Sequence, residues 1–359
     1  MIIKIYPGIP CLNIPVSLIC CFLLAVVTSY QAISQDSPHR IRLKLVKGES
    51  RVQVTDNGKP FTSFLFPDTL EKPVLYPIYA PDEVIITRGF PLLPRKGEPT
   101  DHPHHVGLWL NYENVNGLDF WNNSYAIPAD KKDRYGWIIT DSLPRTVNGN
   151  KGILQYHAVW VNSDKHILLD ENTSYFFRAY SNMRWIDRIT TLTAREAVTF
   201  PDSKDGMLGL RVARELELPS DKPASYKDHL GKLTWVHGDT TSTGNYLNSE
   251  GISGDSVWGT RGKWCMLSGK MQGDSIAIVI LDHPRNPGYP TYWHARGYGL
   301  FAANPLGPKI FTNGRETLGF NLKKGQTVTF RYRIVITSGH FVPDKETIRK
   351  ISDDFARTY

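Results

Sequence analysis

The 359-residue sequence has four cysteines. Three of them lie in the N-terminal segment that we predict below to be a signal peptide, so the mature chain that remains after its removal has no pair for a disulfide. Cys11, Cys20 and Cys21 stand within the first 34 residues, and Cys265 is alone in the remainder. Exported proteins in oxidising compartments are often stabilised by disulfides, so their absence is more typical of a bacterial periplasm than of a eukaryotic secretory route. We expect Cys265, which stands in an apolar run, to be a core residue rather than a thiol nucleophile.

The sequence also lacks a concentration of charge of one sign. Its formal charge is +7, from 42 Lys and Arg against 35 Asp and Glu, but it has no run of five or more basic residues. Proteins that read nucleic acids gather their cations on one face or arm. The dispersed charge therefore predicts no nucleic-acid partner.

Several motifs of nucleotide and hydrolase sites are missing. The sequence has no P-loop, no GxSxG nucleophile elbow and no HExxH metal motif. Residues 297–302 match GxGxxA, but Asn304-Pro305 follows at once and prevents a phosphate-facing helix from starting there. The sequence therefore predicts no nucleotide cofactor.

Long apolar runs are confined to the N-terminus. Residues 14–27 are almost entirely apolar, and the small residues Ala32 and Ser34 follow as a candidate cleavage site. This pattern is typical of a secretory signal peptide, and the apolar stretch is shorter than the roughly 20 residues of a membrane span. We predict a signal peptide over 1–34, with an uncleaved anchor as the alternative. The mature chain, 35–359, is predicted to have no membrane span and to be periplasmic or secreted.

Most of the mature chain has the pattern of β-strands. Residues 51–55 alternate in polarity, an Asn-Gly turn lies within 56–59, and 61–66 continue as a second strand. Other segments rich in β-branched and aromatic residues predict further strands. These segments are 136–140, 153–161, 174–180, 185–193, 208–218, 275–282 and 326–337.

Only the C-terminal tail predicts a helix. Asp344 can cap it, and Ile348, Ile351 and Phe355 fall on one helical face. No Pro-rich or Gly/Ser-rich linker and no repeat divides the chain. We therefore predict one all-β domain over 35–359, a large antiparallel β-sandwich with long loops and a single C-terminal helix.

Two loops carry the unusual chemistry. Residues 101–105 (the His run) read Asp-His-Pro-His-His and hold three of the 11 histidines. Proline makes this segment a rigid bend, and imidazole can bind a metal or move protons near neutral pH. The second loop, 282–307, repeats Asp-His-Pro and adds His294 among aromatic residues. Long segments without regular structure in a compact domain are usually functional.

These loops support two kinds of chemistry. The candidate ligands of one divalent metal ion, zinc or similar, are His102, His104, His105 and His294. The candidate catalytic residues of metal-free acid–base chemistry are His104, His105, His294, Glu113 and Asp101. Neighbouring side chains of an extended segment point to opposite faces, so we expect only one of His104 and His105 to face the site. Structural imidazoles bonded to loop backbone are the alternative.

Aromatic and polar residues in and around the same loops indicate sugar recognition. Aromatic rings stack on the apolar faces of sugar rings, and amides, carboxylates and guanidiniums bind hydroxyls. The candidate substrate-binding residues are Arg88, Asn111, Trp121, Asp282, His283, Trp293, Arg296 and Asn304. Arg88 and Arg296 also suit a substrate carboxylate. Core packing of the tryptophans and ion pairing of the arginines are the alternatives.

The two loops resemble a family of bacterial proteins called PmoA-like. The matching blocks are 88–91, the His run with 108–109, 115–121 without residue 118, and 293–305 without residue 297. Other members often have a basic or polar residue after the His run, where this chain has Val106-Gly107. The resemblance implies a β-supersandwich similar to galactose mutarotases and a setting in bacterial carbohydrate use. It does not imply methane oxidation, because methane monooxygenase subunits cross the membrane and this chain has no apolar span after residue 34.

We therefore expect a periplasmic carbohydrate-active enzyme. Its substrate would be a sugar, an oligosaccharide or a modified glycoside, changed by hydrolysis, elimination or epimerisation. The alternative is a non-catalytic carbohydrate-binding or scaffold protein of a polysaccharide-utilisation system, because the same aromatic and polar loops would serve binding alone. The catalytic hypothesis pairs the His run with His294 and so requires the two loops to meet.

Overall fold

Antiparallel strands make up most of the structure, a computed structural model that describes residues 39–227, 233–236 and 239–359. The predicted signal peptide lies outside the described residues. Contacts along the chain place His39–Tyr359 in one unit. No helix within the described ranges has the length and apolar character needed to cross a membrane.

Sheet 1 has eight strands, each antiparallel to its neighbours. In spatial order they are β1 (Ile41–Leu45), β2 (Arg51–Asp56), β3 (Lys59–Leu65), β4 (Val74–Ile78), β5 (Leu108–Tyr112), β12 (Gly206–Arg211), β19 (Leu300–Asn304) and β18 (Tyr292–Arg296). The predicted Asn-Gly hairpin is confirmed between β2 and β3. Asn57 (φ 47°) and Gly58 (φ 85°) both take the left-handed conformation that such two-residue turns require.

Sheet 2 has nine strands and is also antiparallel. In spatial order they are β15 (Asn245–Asn248), β16 (Trp264–Met271), β17 (Asp274–Asp282), β21 (Thr327–Thr337), β10 (Met183–Ala194), β9 (Ile167–Tyr180), β8 (Gly152–Val161) and β6 (Trp137–Thr140), with β7 (Arg145–Val147) also on β8. Two small pairs join β11 (Val198–Phe200) to β20 (Phe320–Leu322) and β13 (Ala224–Lys227) to β14 (Leu233–Val236).

The inner faces of the two sheets share one apolar core. Leu108 and Leu110 of β5 belong to the same buried cluster as Ile334 and Ile336 of β21. Because side chains alternate between the two faces of a strand, the residues between these positions point away from the core. Cys265, predicted to be a core residue, is fully buried in this cluster.

A charged pair is enclosed within this core. Arg188 on β10 donates to Glu171 on β9 (2.9 Å), and both side chains are buried. The hydroxyl of Tyr156 (2.6 Å) and the indole of Trp160 (2.8 Å) also donate to the Glu171 carboxylate, and Arg188 donates to the Tyr175 hydroxyl. Buried charges are tolerated only with such complete pairing, so this network ties the middle strands of sheet 2 together.

A C-terminal helix, α2 (Lys345–Thr358), covers the outer face of sheet 2. Its predicted cap is confirmed, because the Asp344 side chain accepts from the Thr347 N–H at 2.8 Å. The predicted apolar face is also confirmed, since Ile348, Ile351 and Phe355 are buried against the sheet. The predicted all-β antiparallel sandwich with a C-terminal helix is therefore confirmed.

Two details differ from the sequence prediction. A four-residue helix, α1 (Pro308–Phe311), precedes the C-terminal one. The strand predicted over 208–218 ends at Arg211, and a 3₁₀ turn at Arg214–Leu216 follows. The apolar pattern continues past the strand because Leu216 packs into the core from the loop. Residues 212–218 of the predicted strand therefore lie outside β12.

Glu171→Gln should lower the free energy of unfolding by about 3–5 kcal/mol, because it leaves the Arg188 guanidinium buried without a counter-charge. Denaturant unfolding followed by circular dichroism measures the change. Glu196→Gln is the control, since Glu196 pairs with His166 at the exposed surface and such pairs contribute little. Equal effects of the two substitutions would contradict the role given to the buried pair.

Candidate functional site

The face of sheet 1 that points away from the core lies beneath the His run. Trp109 of β5 faces outward between the two inward leucines of that strand. Gly209 on the neighbouring β12 makes room for its indole, because a Cβ at Gly209 would lie 2.4 Å from Trp109 Cζ2. Arg211, two residues further along β12, is also on this outward face and is fully buried.

Asp101 holds the His run to this face. Its carboxylate lies between two buried guanidiniums, 3.1 Å from Nη1 of Arg88 and 3.6 Å from Nη2 of Arg211. Arg88 also donates to the carbonyl of His102 at 2.9 Å, so it anchors the loop backbone. Although burial opposes ionisation, the two guanidiniums and His102 hold the pKa of Asp101 well below its usual range.

Four rings form a stack that runs along the loop. Tyr298, His102, His105 and Trp109 follow one another with centroid separations of 5.2, 4.8 and 5.4 Å and interplanar angles of 7°, 4° and 19°. His102 has φ 46°, a left-handed conformation that a residue with a Cβ rarely adopts. Its Nδ1 hydrogen-bonds the Asp101 carboxylate, and 35% of its side chain is exposed. Asp101 therefore orients His102, the most exposed ring of the His run.

The other two imidazoles of the run, His104 and His105, contact each other edge-on with ring centroids 4.3 Å apart, but their further partners differ. Nδ1 of His105 is 3.4 Å from Nη1 of Arg211. His104 instead lines a separate cavity of about 330 Å³, together with Lys72 and Tyr125. Burial lowers the pKa of both imidazoles well below its usual value. The two adjacent side chains of this bend therefore touch, whereas an extended segment would direct them to opposite faces.

A cleft of about 750 Å³ opens beside the ring stack. Its described lining includes Arg214, Glu217, Trp258, Arg296 and Tyr298. Arg296 and Tyr298 come from the turn between β18 and β19, and Glu217 packs against that turn. A Cβ added to Gly299 would lie 3.2 Å from Glu217 Cγ. The turn and the segment after β12 thus bring a carboxyl, a guanidinium and a phenol to one wall.

Glu217 has the electrostatics of a functional carboxyl. Its side chain is 12% exposed, and Oε1 lies 3.6 Å from Arg211 Nη2 without a hydrogen-bond partner among the described residues. Burial raises the pKa of Glu217 to about 7, while Arg211 opposes the rise. The sequence patterns do not single out Glu217, because it lies within the strand predicted over 208–218. Tyr298 lies in 297–302, a segment that matches the GxGxxA pattern without the helix that a nucleotide site needs, so its sequence context does not single it out either.

His294 meets a different partner from the one expected. Its Nδ1 is 3.3 Å from Oδ1 of Asp205, and Glu113 Oε2 accepts from the Asp205 N–H at 3.4 Å. Burial lowers the pKa of His294 to about 3 and raises that of Asp205 to about 6. In the described part of the chain, no hydrogen bond, ion pair or ring contact joins His294 to His104 or His105. The two loops meet through Tyr298 rather than through His294.

The second Asp-His-Pro segment belongs to the framework. Asp282 accepts from the Thr291 N–H (2.8 Å) and from Asn286 Nδ2 (2.7 Å), and burial raises its pKa to about 7. The ring of His283 packs edge-on against Phe355 of α2, on the sheet 2 side of the molecule. Both residues were predicted to bind substrate, but their contacts support the strand ends and the C-terminal helix instead.

Four other predicted substrate-binding side chains are fully buried. Trp121 packs on Trp109 at 5.1 Å, and Trp293 lies in the core between the sheets. Asn111 donates to the Phe120 carbonyl, and Asn304 donates to two carbonyls, those of Ser203 and Lys204. The two tryptophans cannot stack on a sugar from these positions. Of the predicted substrate-binding set, Arg296 alone lines the 750 Å³ cleft.

Of the four histidines predicted as metal ligands, His102, His104 and His105 pack ring against ring with centroids 4.3 to 5.6 Å apart, and His294 is not part of this group. His104 lines its own cavity and His294 faces Asp205. Within residues 39–227, 233–236 and 239–359, no group of three or more His, Cys, Asp or Glu is arranged to hold a metal ion. The described residues therefore present no preformed metal centre.

The model of a family described as "Family of unknown function (DUF6807)" matches residues 51–353. No curated protein matches the chain. None of the comparisons supports the PmoA-like name.

Solved structures with a similar fold include sugar-related proteins. The galactosidase domain of an α-galactosidase-sucrose kinase, AgaSK, is 7% identical with a TM-score of 0.39 over 83% of this chain and 42% of that one. A galactose mutarotase-like protein from Clostridium acetobutylicum is 10% identical with a TM-score of 0.37, over 82% and 98%. A galactose mutarotase related enzyme from Lactobacillus acidophilus is 9% identical with a TM-score of 0.30, over 84% and 99%. The chain spans less than half of the α-galactosidase, and likenesses this weak carry no argument about activity.

Asp101→Asn should lower the free energy of unfolding by about 3–5 kcal/mol, because two buried guanidiniums then lose their counter-charge. The pKa of Asp101 is lower in the folded than in the unfolded chain, so its stabilising effect is complete above the unfolded value of about 4 and is lost as pH falls through the folded value. Denaturant unfolding of both proteins across the acid range should show their difference shrink below about pH 4.

The matched control is Asp68→Asn, which removes an exposed carboxylate. It should leave the pH dependence of stability as in the wild type. A difference between wild type and Asp101→Asn that stays constant into strong acid would contradict the ion pairing of Asp101.

Proposed function

The chain belongs to DUF6807, a family of unknown function, and we propose that it is an exported carbohydrate-active enzyme. Its substrate is a sugar, an oligosaccharide or a modified glycoside, bound in the cleft beside the His run. The reaction is a hydrolysis, an elimination or an epimerisation, each of which needs a group that accepts a proton and a group that donates one.

The proposal rests on the position and the pKa of the Glu217 carboxyl. It is a nearly buried carboxyl at the edge of a cleft, and its pKa of about 7 leaves it close to half ionised at neutral pH. A general base works best when its pKa is near the operating pH. A perturbed carboxyl beside a specific charged partner, here Arg211, is the usual mark of a functional site.

The cleft has surfaces suited to a sugar ring. Trp258 and Tyr298 line it, and the guanidinium carbon of Arg296 lies 5.3 and 5.8 Å from their ring centroids. Because the Tyr298 ring already stacks on His102 and contacts Arg211, Trp258, which is 37% exposed, is the ring that offers a face to a sugar. Aromatic faces bind the apolar side of a pyranose, and polar groups at their edges select its hydroxyls.

His102 is our choice for the second proton-transfer group. It is partly exposed, stacks on Tyr298 and is oriented by Asp101, as a catalytic imidazole needs. The sequence favoured His104, His105 and His294 for this role. The burial of those three rings leaves them poorly placed to exchange protons with a ligand in the cleft.

Export and a metal ion remain parts of the proposal that rest on the sequence. The predicted signal peptide over 1–34 supports a periplasmic or secreted location, and recovery in the soluble periplasmic fraction tests it. The predicted divalent metal is tested by metal analysis of the purified protein. Stoichiometric zinc would restore the metal-assisted hypothesis, whereas its absence would leave metal-free acid–base catalysis.

A non-catalytic carbohydrate-binding protein is the second candidate. It is favoured by the burial of three of the site's histidines, since imidazoles packed into a framework need not react. The two candidates differ in one respect: both bind sugars, but only the enzyme changes them.

Glu217→Gln should reduce turnover by about 10²–10⁴-fold, the usual contribution of a general base. Wild-type kcat/KM should rise as pH passes through about 7, because Glu217 must lose its proton to act as a base. A panel of methyl glycosides, oligosaccharides and uronides, followed by proton NMR, detects hydrolysis, elimination and epimerisation together.

The neighbouring exposed Glu215 supplies the control, and Glu215→Gln should keep full turnover. Stability separates a catalytic loss from unfolding. Because the fold raises the pKa of Glu217, its ionisation destabilises the protein as pH rises through about 4.5 to 7, so the uncharged glutamine should be at least as stable above pH 7. Full activity of Glu217→Gln would refute the assignment, and sugar binding without turnover would favour the binding protein.

A further inference from the structure

The guanidinium of Arg296 lies against two aromatic rings and has no polar partner among the described residues. Its guanidinium lies 5.3 Å from the Trp258 ring centroid and 5.8 Å from that of Tyr298. In the part of the chain that the structure describes, the guanidinium makes no hydrogen bond and no ion pair. Cation–π contacts use the face of a guanidinium and leave its N–H groups in the plane free for an anion.

The other arginine of the cleft is already neutralised. Arg214 Nε donates to Asp239 at 2.9 Å. Asp255 also lines the cleft, and its Oδ1 would lie 2.9 Å from a Cβ at Gly297, but it forms no ion pair with Arg296. Among the described lining residues, Arg296 is thus the arginine that lacks a carboxylate partner.

We infer that the substrate carries a carboxylate, as a uronic acid residue does, and that Arg296 pairs with it. This inference rests on the proposed function, since it names the substrate class of the same cleft. A guanidinium matches a carboxylate with two parallel N–H···O bonds, which fixes orientation as well as charge. The rings of Trp258 and Tyr298 hold Arg296 in place for such a contact.

For a uronide substrate, we infer a reaction that begins with abstraction of the proton on C5, next to the carboxylate. Pairing with Arg296 stabilises the negative charge that develops when the C5–H bond breaks and Glu217 takes the proton. In elimination, the electron pair forms C4=C5, the C4–O bond breaks, and His102 protonates the leaving oxygen. In epimerisation, C5 is protonated again from the other side. Neither course needs water or another reactant, and exchange with solvent restores both residues.

The test compares ligands that differ only at C6. Calorimetric titration with methyl glucuronide and methyl galacturonide, against methyl glucoside and methyl galactoside, should show the uronides binding about tenfold to a hundredfold more tightly to the wild type. Arg296→Gln should remove this preference, because it should weaken the binding of the uronides at least tenfold more than that of the neutral glycosides. Arg349→Gln, which removes an exposed cation from α2, controls for net charge and should keep the preference.

The outcomes separate this inference from the proposed function. Equal binding of uronides and neutral glycosides to the wild type, or a preference that survives Arg296→Gln, overturns the carboxylate assignment and leaves a sugar site. Binding of none of the four ligands counts against the sugar site itself. In deuterium oxide, the wild type should exchange the C5 hydrogen of a bound uronide and Glu217→Gln should not. Hydrolysis without that exchange would overturn the proton-abstraction step.

Discussion

The site depends on one buried carboxylate, that of Asp101, placed between the guanidiniums of Arg88 and Arg211. Without it, two positive charges would lie buried side by side, which is among the costliest arrangements in a protein interior. With it, the His run is bound to the outer face of sheet 1, and His102 is turned so that its ring stacks on Tyr298. The same carboxylate therefore positions the loop and orients a candidate acid–base group.

Within the described residues, buried arginine–carboxylate pairs occur in three places, and one difference separates the site from the other two. Arg188 in the core and Arg333 under α2 donate from each of their guanidinium nitrogens. Around Asp101, by contrast, Nε of Arg88, two nitrogens of Arg211 and Oε1 of Glu217 have no hydrogen-bond partner within the described residues. Unsatisfied buried polar atoms destabilise a fold and persist where function requires them. Their grouping beside the 750 Å³ cleft supports a binding role there.

The fold can be predicted from local sequence patterns, but most of the candidate site cannot. Alternating residues, the Asn-Gly turn at 57–58 and the capped helix after Asp344 depend on contacts between near neighbours, which a sequence shows directly. Glu217 is different, because its pKa depends on Arg211, on the turn carrying Tyr298 and on burial, and those surroundings are set by strands far apart in the chain. Its segment also imitates a strand, since Leu216 enters the core from a loop.

The two Asp-His-Pro segments also show that a local sequence motif does not determine what surrounds its side chains in the fold. In the first, His102 adopts a left-handed φ, which lets its ring bond the Asp101 side chain next to it. In the second, Asp282 instead bonds the Thr291 N–H, and His283 turns toward the C-terminal helix. The tripeptides are identical, so the difference comes from what surrounds them: two arginines near the first and strand ends near the second. Of the two Asp-His-Pro segments, the first alone therefore offers an imidazole with both a charged partner and access to solvent, and that is the physical basis for proposing His102 as the proton-transfer group.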